Sequence, residues 1–157
     1  MRTTIIPNIM ELLSRNFNYG VKEALTFEIG NIFIPKELPL KSLPQERRTL
    51  AIGMYGEVDY YGLKGIVEIL LNRLGISSFR YLIEENQPTF DPGRTANIIL
   101  DNKVLGIIGE VHPDVLENYD LDVPVYIGEL DFVTIIEEAN LIKKINHYRN
   151  ILLSQGI

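Results

Sequence analysis

The stretch TANIILDNKVLGIIGEV, residues 95–111, decides the fold. Residues 95–100 and 104–111 are two apolar, β-rich runs, and Asp101-Asn102-Lys103 between them are turn formers. Asn and Asp tolerate left-handed backbone better than other side chains, so two such runs around them read as an antiparallel hairpin. Working outward, residues 79–83 form a short strand and residues 123–130 another. Pro113 opens a short helix through Leu116, and residues 132–139 read as helical. Upstream, Asp59 can cap a helix in which Leu63, Ile66, Val67, Leu70, Leu71 and Leu74 make one apolar stripe up to Gly75. Residues 49–55 are a strand. In residues 24–33, Leu25, Phe27 and Ile29 alternate with Thr26, Glu28 and Gly30, the pattern of a half-buried strand. Between them, Pro35, Pro39 and Pro44 forbid regular structure, and residues 34–48 read as a long loop. At the N-terminus, Pro7 suits the first residue of a helix carrying Ile9, Leu12, Leu13, Asn16 and Phe17 at three-and-four spacing and stopping at Gly20. Antiparallel strands with interspersed helices indicate an α+β domain and not a parallel doubly wound sheet.

Composition narrows the function. With 157 residues the chain is expected to bury about 70% of the surface its unfolded form exposes, enough for one independent core. It has no cysteine, which excludes disulfides, thiolate metal sites and a cysteine nucleophile, and fits a cytoplasmic protein. No run approaches the ~20 apolar residues of a membrane span. The net charge of −6 argues against a broad nucleic-acid surface.

Chemistry is harder to find. Glu110 and His112 share one face of a strand with Asp114 nearby, but a metal would need further convergent ligands; a strand-to-helix corner is the simpler reading. Asp91-Pro92-Gly93-Arg94 reads as a turn, and Arg94 at its exit either pairs a phosphate or carboxylate through its bidentate fork or, the favoured reading, makes an ion pair to Glu110 or Glu28. The pairs Glu84-Glu85 and Glu137-Glu138 are sequence neighbours that point to different faces, so neither is an acid/base dyad. Arg47-Arg48 and Lys143-Lys144 are isolated basic pairs that solvate a loop. No Gly-x-Ser-x-Gly elbow occurs, and no two of the 12 glycines are separated by a single residue, so neither a dinucleotide fingerprint nor a Walker loop can be written.

Four ordered stretches carry a family resemblance. They are Arg2-Thr3-Thr4-Ile5-Ile6-Pro7 with the helix to Asn16, Phe27-Glu28-Ile29-Gly30-Asn31-Ile32-Phe33, Asp59-Tyr60-Tyr61-Gly62-Leu63-Lys64-Gly65, and the run from Pro92-Gly93-Arg94-Thr95-Ala96 through Gly106-Ile107-Ile108-Gly109-Glu110-Val111-His112-Pro113 to Glu129-Leu130-Asp131. Together they resemble the beta subunit of bacterial phenylalanyl-tRNA synthetase, in its class II synthetase-like core domain. The family usually has His where Asp91 stands, which leaves the turn chemistry intact.

The resemblance implies an antiparallel β-sheet flanked by helices, the class II aminoacyl-tRNA synthetase-like core in non-catalytic form. It also implies a core over residues 1–140 and a C-terminal tail or linker remnant over 141–157, loosely held, in a piece of a longer subunit or a truncated reading frame. In the family the alpha subunit carries ATP and phenylalanine and the beta core packs beside it in an α2β2 tetramer; ATP and magnesium are expected outside this chain. Class II enzymes hold ATP with an Arg after the motif 2 strand and a glycine-rich, Arg-ending motif 3. Here Phe33 is followed by Ile34-Pro35, and Tyr126-Ile127-Gly128-Glu129-Leu130-Asp131-Phe132-Val133 offers acids instead, which would repel a triphosphate. No catalytic, cofactor or metal residue is therefore expected. The expected role is docking of the alpha subunit through Ile9, Leu13, Phe17, Phe27 and Phe33, with Glu28, Arg94, Glu110 and His112 as structural polar residues and tRNA reached through the holoenzyme. Self-association of the isolated domain is a further expectation. The competing readings are a stand-alone adenylate-forming ligase, disfavoured by the missing motifs, and a regulator that binds an amino acid on a degenerate synthetase fold.

Overall fold

The protein is described by a computed structural model covering residues 2–139 and 141–156. Its elements run α1 (Ile6–Asn18), β1 (Ala24–Ile34), β2 (Gln45–Tyr55), α2 (Tyr60–Arg73), β3 (Phe79–Ile83), β4 (Phe90–Leu100), β5 (Lys103–Val111), α3 (Pro113–Asn118), β6 (Val125–Asp131), α4 (Phe132–Glu138) and α5 (Leu141–Ser154). The strands form one sheet in the order β1-β2-β6-β5-β4-β3, every neighbouring pair antiparallel. The α+β antiparallel sheet with flanking helices is the architecture expected of residues 95–111.

The hairpin at the centre of that reading is a two-residue loop. Leu100 pairs with Lys103, and Asp101 and Asn102 both take positive φ, 48° and 62°. Two consecutive left-handed residues match the twist of the flanking strands, which is why the turn needs Asp and Asn.

The inner strands are buried on both faces. On one face Leu63, Val67 and Leu71 of α2 pack on Leu50, Ile98, Ile108 and Leu130. On the other, Ile5, Ile9, Met10 and Leu13 of the α1 region pack on Ala51, Tyr55, Phe90 and Ile127. Burying each such side chain stabilises the fold by about 1.5–3 kcal/mol. Close approach explains two glycines. A Cβ on Gly53 would run into Ile9 Cγ2, so α1 lies directly on β2. A Cβ on Gly106 would strike the Glu129 carbonyl and sit 2.9 Å from Leu130 Cα, both backbone of the adjacent strand.

Several expectations need correction. The loop after β1 is shorter: β2 begins at Gln45, so Arg47 and Arg48 are strand residues paired with Ile32 and Asn31. The prolines stop short of them. Asp91-Pro92-Gly93-Arg94 is not a free turn but an irregularity inside β4, between the register positions of Phe90 and Thr95; Asp91 Oδ1 accepts from Gly93 N at 2.8 Å. Pro92 has no N–H to contribute to a ladder, so the strand bulges there. Residues 141–157, expected as a tail or linker remnant, contain the helix α5. Pro7 is the second residue of α1, whose first is Ile6. Among the described residues no helix is long and apolar enough to cross a membrane.

Two glycine substitutions should move stability in opposite directions. Gly106→Ala is expected to cost about 1–3 kcal/mol, because backbone cannot move aside for the new methyl group. Gly65→Ala, inside α2 with nothing within 4 Å of the added carbon, should gain about 0.5–1 kcal/mol. Urea denaturation midpoints with unchanged m-values check both.

Candidate functional site

The most unusual surface lies on β1, the edge of the sheet. Leu25, Phe27 and Ile29 stand opposite Met54, Ile52 and Leu50 of β2, in the row that continues into the α2-covered core. α2 packs over the inner strands and leaves this outermost row uncovered, so the three side chains are 62%, 70% and 44% exposed. The loop over residues 35–44 adds exposed Leu38, Leu40 and Leu43 at the same end of the sequence. The period-two pattern is as expected, but its apolar side is the outward one. Its polar side, including Thr26 and Glu28, is half-buried towards α1. An apolar row of this length beside a flexible-composition loop has the character of an interaction surface.

The residues expected at a docking surface divide accordingly. Ile9 and Leu13 are fully buried against the sheet, a correction: their face of α1 is filled by the domain's own core and offers nothing to a partner. Phe17 is half-buried and packs edge-to-face on Tyr55 at 5.8 Å. Phe27 is on the surface, and Phe33 is half-buried on the same strand.

The polar residues hold corners. Glu28 faces Arg2 at 3.4 Å, while Arg2 Nε donates to the Asn31 carbonyl at 2.8 Å, clamping the N-terminus along β1. Arg94 donates to Glu110 at 2.5 Å, and that hydrogen bond, with the Glu110 charge, raises the guanidinium pKa. His112 is the N-cap of α3, its Nδ1 accepting from Asp114 N at 3.1 Å. Among the described residues no group of three His, Cys, Asp or Glu is placed to hold a metal ion.

The sequence reading missed a second polar set. A groove of about 280 Å³ runs along β2, β5 and β6, lined in part by Arg47, Thr49, Asn97, Glu129 and Asp131. Glu129 Oε1 accepts from Ile5 N and from Thr4 Oγ1, each at 2.8 Å, and Thr4 Oγ1 accepts from Ile6 N at 3.1 Å. At the start of α1 the donor Ile5 N is thus satisfied from the sheet and Ile6 N by the preceding Thr4, and a carboxylate sits at the positive end of the helix. Arg47 Nε donates to Asp131 at 2.8 Å and its guanidinium reaches Thr134, while Asp131 caps α4 through Val133 N at 3.1 Å. Arg47 is the one cation lining the groove among the described residues, and it is already paired. Thr4, Glu129 and Asp131 lie within the family-like stretches of sequence, but their partners are far off in the chain, and only the fold joins them.

The comparisons with known proteins fit this geometry. The family model described as the phenylalanyl tRNA synthetase beta chain CLM domain matches residues 1–132. The chain belongs to that family. The phenylalanine–tRNA ligase beta subunit of Clostridium tetani is 48% identical over 144 residues, and that of Clostridium acetobutylicum 46% over 144 residues. In both, the match takes 92% of this chain but 18% of the relative, so the chain spans under a fifth of the curated relatives' length. Among solved structures, two pyrrolysyl-tRNA synthetase structures from Desulfitobacterium hafniense share the fold at TM-score 0.70 and 17% identity. They cover 87% and 90% of this chain and 49% and 51% of their own. The architecture is that of a class II synthetase, as the family resemblance implied.

The two polar sets should respond differently to mutation. Glu129→Ala removes the acceptor of two buried-side donors and should cost about 1.5–3 kcal/mol, with faster amide exchange at Ile5 and Ile6. Arg94→Ala, at an exposed guanidinium, should leave the urea midpoint unchanged within error.

Proposed function

We propose that this chain is the non-catalytic docking core of a phenylalanine–tRNA ligase beta subunit. It supports ATP-dependent attachment of phenylalanine to its tRNA, in the cytoplasm, by packing against the catalytic alpha subunit. The observation that carries the reading is the uncovered apolar row Leu25-Phe27-Ile29 on an edge strand of a class II-like sheet. Centres of stable subunit interfaces are apolar and rich in aromatic residues, and Phe27 has the exposure and position of such an anchor.

The non-catalytic part rests on charge. A nucleotide-holding groove needs free cations for phosphoryl oxygens. Here the groove along β2, β5 and β6 carries Glu129 and Asp131, and its arginine is consumed by Asp131. Nucleotide and magnesium then belong to the partner subunit, and tRNA meets this domain as part of the assembly.

The test is mixing the chain with the alpha subunit of Clostridium tetani phenylalanine–tRNA ligase, followed by size-exclusion chromatography with light scattering. A stable complex is expected, weakened roughly tenfold or more by Phe27→Asp, with the circular dichroism of the variant unchanged. Phe27 is exposed, so this substitution separates docking from folding; Phe17→Asp would disturb the Tyr55 contact and does not. Separate elution at micromolar concentration, or a Phe27→Asp complex as tight as the parent, overturns the reading.

A further inference from the structure

At the other side of the sheet from β1, a cavity of about 770 Å³ opens between the start of α2 and strands β3 to β6. Tyr60, Tyr81 and Tyr126 form its walls, Ile83, Pro92 and Ala96 add apolar surface, and Asp59, Glu85, Glu110 and Arg94 supply charge. The volume lies within the usual size range of small-molecule pockets, about 300–1,000 Å³.

The charge pattern selects the ligand. Arg94 and Glu110 satisfy each other at 2.5 Å, leaving Asp59 and Glu85 to set the sign of the site. Asp59 spends one oxygen on Gly62 N at 2.7 Å as the cap of α2. Tyr126, only 6% exposed, lies among these groups; burial raises its phenol pKa first, and the Glu110 charge raises it further than Arg94 lowers it. The lining carries three carboxylates, Asp59, Glu85 and Glu110, against the single guanidinium of Arg94, a net negative set. The Tyr81 ring shows the affinity of such a face for a cation: Lys64 Nζ of α2, outside the cavity lining, sits 4.6 Å from its centre and 3.9 Å from Glu68. Aromatic faces beside carboxylates attract ammonium and guanidinium groups, and apolar patches accommodate their alkyl stems.

We infer that this cavity is a binding site for an organic cation, an ammonium or guanidinium group carried on a short apolar stem. The site uses none of the residues assigned to docking and stands or falls independently of that reading. The cation can arrive as a free small amine or as a Lys or Arg side chain of another protein, and the two sources present the same chemistry to the tyrosines and carboxylates.

The test is nitrogen-15 NMR of the whole chain titrated with n-butylammonium, with agmatine, and with the peptide acetyl-Gly-Arg-Gly-amide. Saturable shifts are expected at the amides of Tyr81, Arg94, Glu110 and Tyr126, weakened by added salt. The double variant Asp59→Asn, Glu85→Gln retains a capping side chain on α2 and should raise the dissociation constant roughly tenfold. Saturation by the free amines identifies a small-molecule site; saturation by the peptide alone identifies a side-chain receptor, and either supports the inference. No saturable shift up to about 10 mM overturns it. So does equal binding of n-butanol or butyrate, which share the stem without the cation, or an unchanged affinity in the double variant.

Discussion

One carboxylate organises the N-terminal half of this molecule. Glu129, in a central strand, takes hydrogen bonds from Thr4 and from the backbone of Ile5, so the first turn of α1 is fixed to the middle of the sheet and not merely laid on it. That anchor sets where Ile9 and Leu13 enter the core, and the missing Cβ of Gly53 lets them settle directly on β2. A helix without a capping side chain of its own would otherwise begin with unpaired donors in a half-buried place. The same group lines the groove along β2, β5 and β6, together with Asp131.

How much of this was legible in the sequence depends on the range of the interaction. Local chemistry reads well: Asp101-Asn102 specify the hairpin, Asp59 the start of α2, and the stripe Leu63, Val67, Leu71 its buried face. Alternation in β1 reads only halfway. A period of two states that Leu25, Phe27 and Ile29 share a face, but which face is covered depends on how far α2 reaches across the sheet, and no local pattern encodes that. For the same reason, prolines predict where a ladder cannot run, not where the next strand begins, and Arg47 and Arg48 proved to be paired strand residues.

The candidate sites follow the same division. Phe27, Ile9 and Leu13 carry equally apolar signals in the sequence, yet Phe27 is exposed on the edge strand while Ile9 and Leu13 are core. Helical periodicity reports amphipathicity and is silent about whether the apolar side meets the same chain or another. The Arg94–Glu110 pair was foreseeable because the two stretches form one hairpin. The tyrosine cavity was not, since Tyr60, Tyr81 and Tyr126 come from three elements that only the strand order brings together.

That strand order has a consequence for how the chain is made. Of the six described strands β6 is the last to leave a ribosome, yet it lies between β2 and β5, and Arg47 waits for an Asp131 that is 84 residues away. Until it emerges, the β1–β2 hairpin and the β3–β4–β5 meander are separate sheets with facing open edges. Each edge is long and flanked by apolar side chains, the type of surface that pairs wrongly with neighbouring nascent chains. A late-arriving central strand makes closure of the sheet a single, delayed event of high contact order. Premature termination before residue 125 would yield a product that is not a smaller version of this domain but two unfinished ones.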